Sequence, residues 1–187
     1  MQRKNGWSGT LHCTFTEKEL ELEKCMFKEL LTDLQQSKCV LVGLGETFTV
    51  KNAEDELKYI QFYKNLKDKL GARDYYILTQ AEDDLIFRCG FDKKHVAAPF
   101  VFPEDEANWN EYMKWLSFTL NRQLLVLEFG VGFANPMIIR FPFEKTVFLN
   151  QKSKMYRVHP TFPQVTAEIG ERGTAVLANP LDLFSEV

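Results

Sequence analysis

The stretch "LLVLEF", residues 124–129, constrains the fold of this chain more than any other. It is largely apolar and shows no period-two alternation. A strand open to water on one face alternates, whereas a strand covered on both faces reads as a near-continuous apolar run, the signature of a parallel sheet. "GVGFANP" follows directly, a Gly-Val-Gly turn and then a second turn signal, Asn-Pro. A buried strand that exits through glycines into a helix admits two explanations. It is a tight structural turn, or it is a place where backbone N–H groups meet a phosphate.

The rest of the chain alternates in the same grammar. Residues 15–36 read as a helix, with Thr16 as N-cap, Glu19 completing a capping box, and Phe15 and Leu20 as a hydrophobic staple. Leu20, Phe27, Leu30, Leu31 and Leu34 recur along it at helical spacing. "KCVLVGLG" is a short buried strand. Residues 52–71 form a second helix, capped by Asn52, striped by Leu57, Ile60, Tyr63, Leu66 and Leu70, and ended by Gly71. "DYYILTQ" is a strand, "AEDDLIFRCG" a short helix closed by Gly90, and "KHVAAP" a weak strand demoted by Pro99.

Residues 104–122 carry a strong helix with Trp109, Tyr112, Met113, Leu116 and Leu120 on one face. Beyond "LLVLEF", a short helix starts at Asn135 and ends before Pro142. "KMYRVHP" and "GTAVLA" are the last strands, and Asn179-Pro180 opens a terminal helix. Strands alternating with helices give an α/β protein: a doubly wound, mostly parallel, Rossmann-like sheet of about six strands with helices on both faces. No linker or repeat divides it. Residues 1–187 read as one domain, with 1–37 an N-terminal segment and a helix packed on it.

Composition narrows the function classes. Lys and Arg number 23 against 26 Asp and Glu, so no basic footprint points to nucleic acid. Phe at 16 makes an aromatic core. Cys13, Cys25, Cys39 and Cys89 lack the two-residue spacing of a zinc knuckle and read as free thiols in a reducing cytoplasm. "MQRKNGWSGT" has no apolar segment of a secretion signal, and no run is long enough for a bilayer.

In such a sheet, ligands lie beyond the carboxyl ends of the strands, where strand order reverses. "VGLGETF" and "FGVGFANP" fall at such ends. There Gly43, Gly45, Gly130 and Gly132 either admit a ligand's close approach or take positive φ, and the helix expected from Asn135 offers N–H groups to an anion. The first turn departs from the dinucleotide fingerprint. Phe48 stands where the third glycine belongs, and Glu46 places a carboxylate against a pyrophosphate.

The stretch "LLVLEFGVGFANPMIIRFPFE" resembles the late strand–loop–helix of bacterial sirtuin-type NAD-dependent deacylases. "YYILTQAEDDLIFRCGFDKKHV" resembles that family's Thr-Gln motif, and "KCVLVGLGETFTV" its glycine-rich nucleotide loop, all in family order from about residue 38 onward. The resemblance implies NAD or ADP-ribose as ligand. Gly43, Gly45, Thr79, Gln80, Asp83, Gly130, Val131, Gly132 and Asn135 would hold it.

The departures are chemical. The family's motif asparagine aligns with Ala81 and its general-base histidine near Phe100, with His95 about five residues early. The zinc-binding small domain and most of the cofactor loop are missing from the pattern. Deacylation, as the resemblance implies it, needs a base for a ribose hydroxyl, and a phenyl ring accepts no proton. The expectation is a sirtuin-like domain without deacylase activity and without metal. It retains NAD or ADP-ribose binding, or serves as a binding or assembly module with a protein partner or a second copy. The alternative is an NAD-dependent deacylase, ADP-ribosyltransferase or NAD hydrolase with rearranged catalytic residues.

Among the remaining candidates, His159 precedes Pro160 on the ligand side, where it either serves as a base or, as the expectation favours, faces solvent in a turn. Asp83 and Asp84 either meet a ribose or start a short helix. Arg140 and Glu144 read as a local ion pair. Trp115 falls off its helix stripe, and an exposed Trp there marks a partner surface.

Overall fold

The computed structural model describes residues 17–184, with side chains from residue 21 onward. The cap and staple expected around Thr16, and Trp7, His12 and Cys13, lie outside the described residues and side chains. The elements run α1 (Glu17–Gln36), β1 (Cys39–Leu44), α2 (Ala53–Leu70), β2 (Asp74–Thr79), α3 (Leu85–Arg88), β3 (Val96–Ala97), α4 (Glu106–Phe118), β4 (Leu124–Phe129), α5 (Arg140–Leu149), β5 (Ser153–Val158) and β6 (Gly173–Val176). Short 3₁₀ segments occupy Glu46–Phe48, Lys93–His95, Ala167–Arg172, which is broken by a kink at Gly170, and Pro180–Phe184.

The six strands form one sheet in the order β3-β2-β1-β4-β5-β6, and every pairing is parallel. This is the doubly wound, Rossmann-like arrangement expected from the alternation. β1 and β4, both buried at all six positions, lie at the centre. Strand residues point alternately to two apolar layers. Val40, Val42, Leu44, Leu125, Leu127 and Phe129 face α1, α2, α3 and the 180–184 turn. Leu41, Tyr76, Leu78, Val126 and Met155 face α4, α5 and the 167–172 turn. Phe27, Leu30 and Leu34 dock α1, each fully buried apolar side chain being worth about 1.5–3 kcal/mol.

Helix positions follow the pattern less closely at their outer faces. Leu57 in α2 is exposed, and Phe62 is buried in its place beside Tyr63, Leu66 and Leu70. In α4 only Tyr112 is fully buried, while Trp109, Met113 and Leu120 of the expected stripe face solvent. α5 starts at Arg140 rather than Asn135 and runs through Pro142. Pro142 is its third residue, where the missing N–H is one of the first-turn donors that has no intrahelical partner anyway. No described helix is long and apolar enough to cross a membrane.

Candidate functional site

Strand order reverses between β1 and β4, and the two glycine turns leave the sheet there side by side. They close on each other. Gly45 N–H donates to the Phe129 carbonyl at 2.8 Å, and Thr47 Oγ1 donates to the Gly130 carbonyl at 3.1 Å. A Cβ built at Gly45 would be driven into the Gly130 carbonyl. Gly130 has φ +62°, the left-handed region that favours glycine, whereas Gly132 does not. What Gly132 supplies is a donor: its N–H bonds Glu46 Oε2 at 3.2 Å. The carboxylate of Glu46 thus sits where the turn would receive an anion. Gly43 serves packing, since a Cβ there would come within 2.6 Å of Ile139 and 2.7 Å of Phe143. Phe48 is fully buried against Phe62, Tyr59 and Tyr63, which fixes the loop that carries Glu46.

The other residues expected at the site converge on the same end of the sheet. Thr79 is buried and its Oγ1 accepts from Ala81 N–H at 3.0 Å. Gln80 Nε2 donates to the Asn135 carbonyl at 2.7 Å, tying the end of β2 to the loop after β4. Its Oε1 is buried without a partner. Asn135 therefore acts through its backbone and caps no helix. Val131 is buried, and its carbonyl accepts from Arg140 Nη1 at 3.0 Å. Asp83 takes the structural alternative: Oδ1 accepts from Leu85 N–H at 3.0 Å and Oδ2 from Val50 N–H at 2.8 Å.

Beneath these loops lies a charged network that sequence reasoning missed. Glu128 and Arg157 are register partners on β4 and β5, and both are fully buried. Arg157 donates from Nε and Nη2 to the two Glu128 oxygens, at 2.5 and 3.0 Å. Its Nη1 reaches Glu144 Oε1 at 2.6 Å and the Gln164 carbonyl at 2.5 Å. Arg140 does not pair with Glu144 as expected. It donates to the carbonyls of Val131, Phe162 and Gln164, with its Nη1 3.9 Å from Glu128. The local spacing misled because α5 points Glu144 toward β5 and Arg140 toward the loops. Burial pushes the Glu128 carboxyl up, to about 7, against the pull of Arg157 and Arg140.

No family model matches this sequence, and no curated protein does. The site is therefore read from its own geometry.

His159 is buried at the carboxyl end of β5, not solvent-facing as expected. Its Nδ1 accepts from the N–H groups of Thr161 and Phe162, both at 2.9 Å. That leaves the ring proton on Nε2, which faces the Gly132 turn (a Cβ there would lie 3.8 Å away). Burial holds the imidazole below its ordinary pKa, with Arg140 and Arg157 adding to the effect and Glu46 opposing it. His95 lies at the amino end of β3, exposed and packed at a tilt against Tyr75, ring centroids 5.1 Å apart, away from the ligand end. Ala81 is buried, and Phe100, 39% exposed, offers only a ring. Cys39 is buried with its thiol pushed up to about 11 by desolvation, which makes it no nucleophile. Among the described residues, no group of three or more His, Cys, Asp or Glu is placed to hold a metal.

A neutral buried His159 has a measurable consequence. Its folded pKa lies below the unfolded value, so below about pH 6.5 the unfolded chain binds a proton that the folded one refuses. Stability is lost as pH falls through that window. Glu128, raised, contributes the opposite slope over its own range. His159→Asn isolates the histidine, because Asn Oδ1 can keep the Nδ1 acceptor position without titrating. Urea denaturation at pH 7.5 and 5.5 should show wild type losing more stability than the variant. Equal losses would contradict the assignment.

Proposed function

We propose that this chain is a sirtuin-like Rossmann domain that does not deacylate and acts as a binding or assembly module. The observation that carries the reading is the contact of Glu46 with Gly132 N–H, reinforced by Gly45 packed on Gly130. A carboxylate already occupies the donor that a pyrophosphate would use, and its charge repels one. The residues at this turn do not fit a pyrophosphate as they stand. Ala81 and Phe100 add that neither the amide nor the base of the family's chemistry is supplied.

The module half of the reading is supported by the outer surface of the α4–α5 layer. Trp109, Met113 and Phe118 on and after α4, and Phe141, Phe148 and Leu149 on α5, are all exposed. The opposite layer exposes only Leu22 and Leu57 of its described helical large apolar residues. Apolar surface gathered on one layer fits a protein partner or a second copy.

A second reading keeps NAD or ADP-ribose as ligand of an enzyme with rearranged residues. It is favoured by the unpartnered, buried Gln80 Oε1 and by the ordered His159 beside Glu46. Differential scanning fluorimetry with NAD and with ADP-ribose separates the two. A bound ligand at a hundredfold excess over Kd adds about 2.7 kcal/mol of stability. The expected result for wild type is no shift at millimolar NAD or ADP-ribose. A clear shift, or release of nicotinamide from NAD, overturns the first reading in favour of the second.

A further inference from the structure

A cavity of about 450 Å³ lies between the carboxyl end of β3 and the first turns of α4. It is separate from the glycine turns, and of its lining only Trp109 also belongs to the exposed apolar face described above. Its volume falls within the ordinary range for small-molecule sites. Ala97, Pro99, Phe102 and Trp109 give it flat apolar walls. Lys93 supplies a cation. Its Nζ lies 3.9 Å from the Phe102 ring centroid and 5.8 Å from that of Phe87, and it forms no ion pair among the described residues. An ammonium held on two rings and lacking a counter-charge is placed to receive an anion.

The carboxylates on the same cavity sit on its α4 side. Asp105 is engaged as the α4 N-cap, accepting from Asn108 N–H at 3.0 Å, and Glu106 follows it in the first turn. The cavity thus has one cationic wall, one acidic wall and an apolar body between them. Asn108 Nδ2 donates to the carbonyls of Lys93 and Val96, at 2.6 and 3.1 Å. The outer edge of β3 therefore does not offer the Val96 carbonyl to an added strand, which disfavours an extended peptide as the occupant.

We propose that this cavity binds a small organic carboxylate with a flat apolar body, its carboxylate on Lys93 and its body between Phe102 and Trp109.

Isothermal titration with 3-phenylpropionate, 3-phenylpropionamide and phenethylamine tests this on the full chain. The carboxylate should bind saturably and the amide more weakly. Lys93→Gln should weaken the carboxylate about tenfold or more and leave the amide unchanged. Trp109→Ala should weaken both. Lys93 and Trp109 are exposed side chains, and a thermal melt of each variant verifies the fold. No saturation by any probe at several millimolar overturns the site. Carboxylate binding that Lys93→Gln leaves intact overturns the role of Lys93. Preference for the amine, lost in Glu106→Gln, overturns the charge class of the ligand.

Discussion

Glu128→Ala should destabilise the fold by about 3–5 kcal/mol, the cost of leaving a buried charge without its partner. Arg157 has no exposed surface, and Glu128 takes its Nε and Nη2 donors in a two-point contact. After truncation, Arg157 retains Glu144, the Gln164 carbonyl and a long bond from Nη2 to the Arg140 carbonyl at 3.4 Å, but its fully buried Nε is left without an acceptor. Glu144→Ala should cost less, about 1.5–3 kcal/mol, because that carboxylate is partly solvated and its loss breaks charged hydrogen bonds without stranding the core pair. Urea denaturation of the variants measures both.

The reciprocal variant gives a sharper check. In Arg157→Met the carboxylate is left buried with Arg140 at 3.9 Å. Its pKa, already about 7 beside Arg157, rises further, so the carboxyl protonates and is relieved at low pH. A raised folded pKa contributes stability that is present at low pH and lost as pH rises through it. Arg157→Met should therefore be less destabilised at pH 5.5 than at pH 8. A penalty under about 1 kcal/mol for Glu128→Ala, or one for Arg157→Met that ignores pH, would mean that water reaches the pair and that the network is a surface feature.

The network explains what the sequence made legible and what it hid. β1 is apolar along its length and β4 is apolar at every position but Glu128, because both faces are covered, so their burial in a parallel sheet was readable from the absence of alternation. The end of the sheet that gathers Gly45, Thr79, Gln80 and Gly130 followed from topology. The Glu128–Arg157 pair did not. The two residues are 29 positions apart and meet only through the β4–β5 register, which needs the strand order first. A signal was present, since a carboxylate within "LLVLEF" must have a partner in a strand buried on both faces. The same gap misassigned Arg140 to Glu144. The α4 stripe failed for a different reason: its apolar residues exceed one face, and a period alone does not say which of them the sheet covers.

Gly45→Ala should be the most damaging of the three alanine substitutions at the turns, at about 3 kcal/mol or more, beyond the usual cost of overpacking. Gly45 has φ −78°, a conformation any residue adopts, so the cost is not conformational. It is steric, and the obstacle is backbone: the Gly130 carbonyl and Val131 Cα, held in turn by the Gly45 N–H to Phe129 bond at 2.8 Å. Neither side can rotate away. Gly130→Ala comes next, combining left-handed strain of about 1–2 kcal/mol with a clash against the Thr47 hydroxyl. Gly132→Ala should be mildest. Its φ is ordinary and its Cβ would press on the Glu46 carboxylate, the end of a flexible side chain that swings out at the expense of one hydrogen bond, while His159 Nε2 lies at an ordinary contact distance of 3.8 Å. The order Gly45 > Gly130 > Gly132, read from denaturation midpoints at constant m, follows from a closed crevice. If Gly45→Ala is instead tolerated with little loss, the β1 and β4 loops separate readily. A dinucleotide could then enter between them, and the case against NAD at this turn would fail with the ranking.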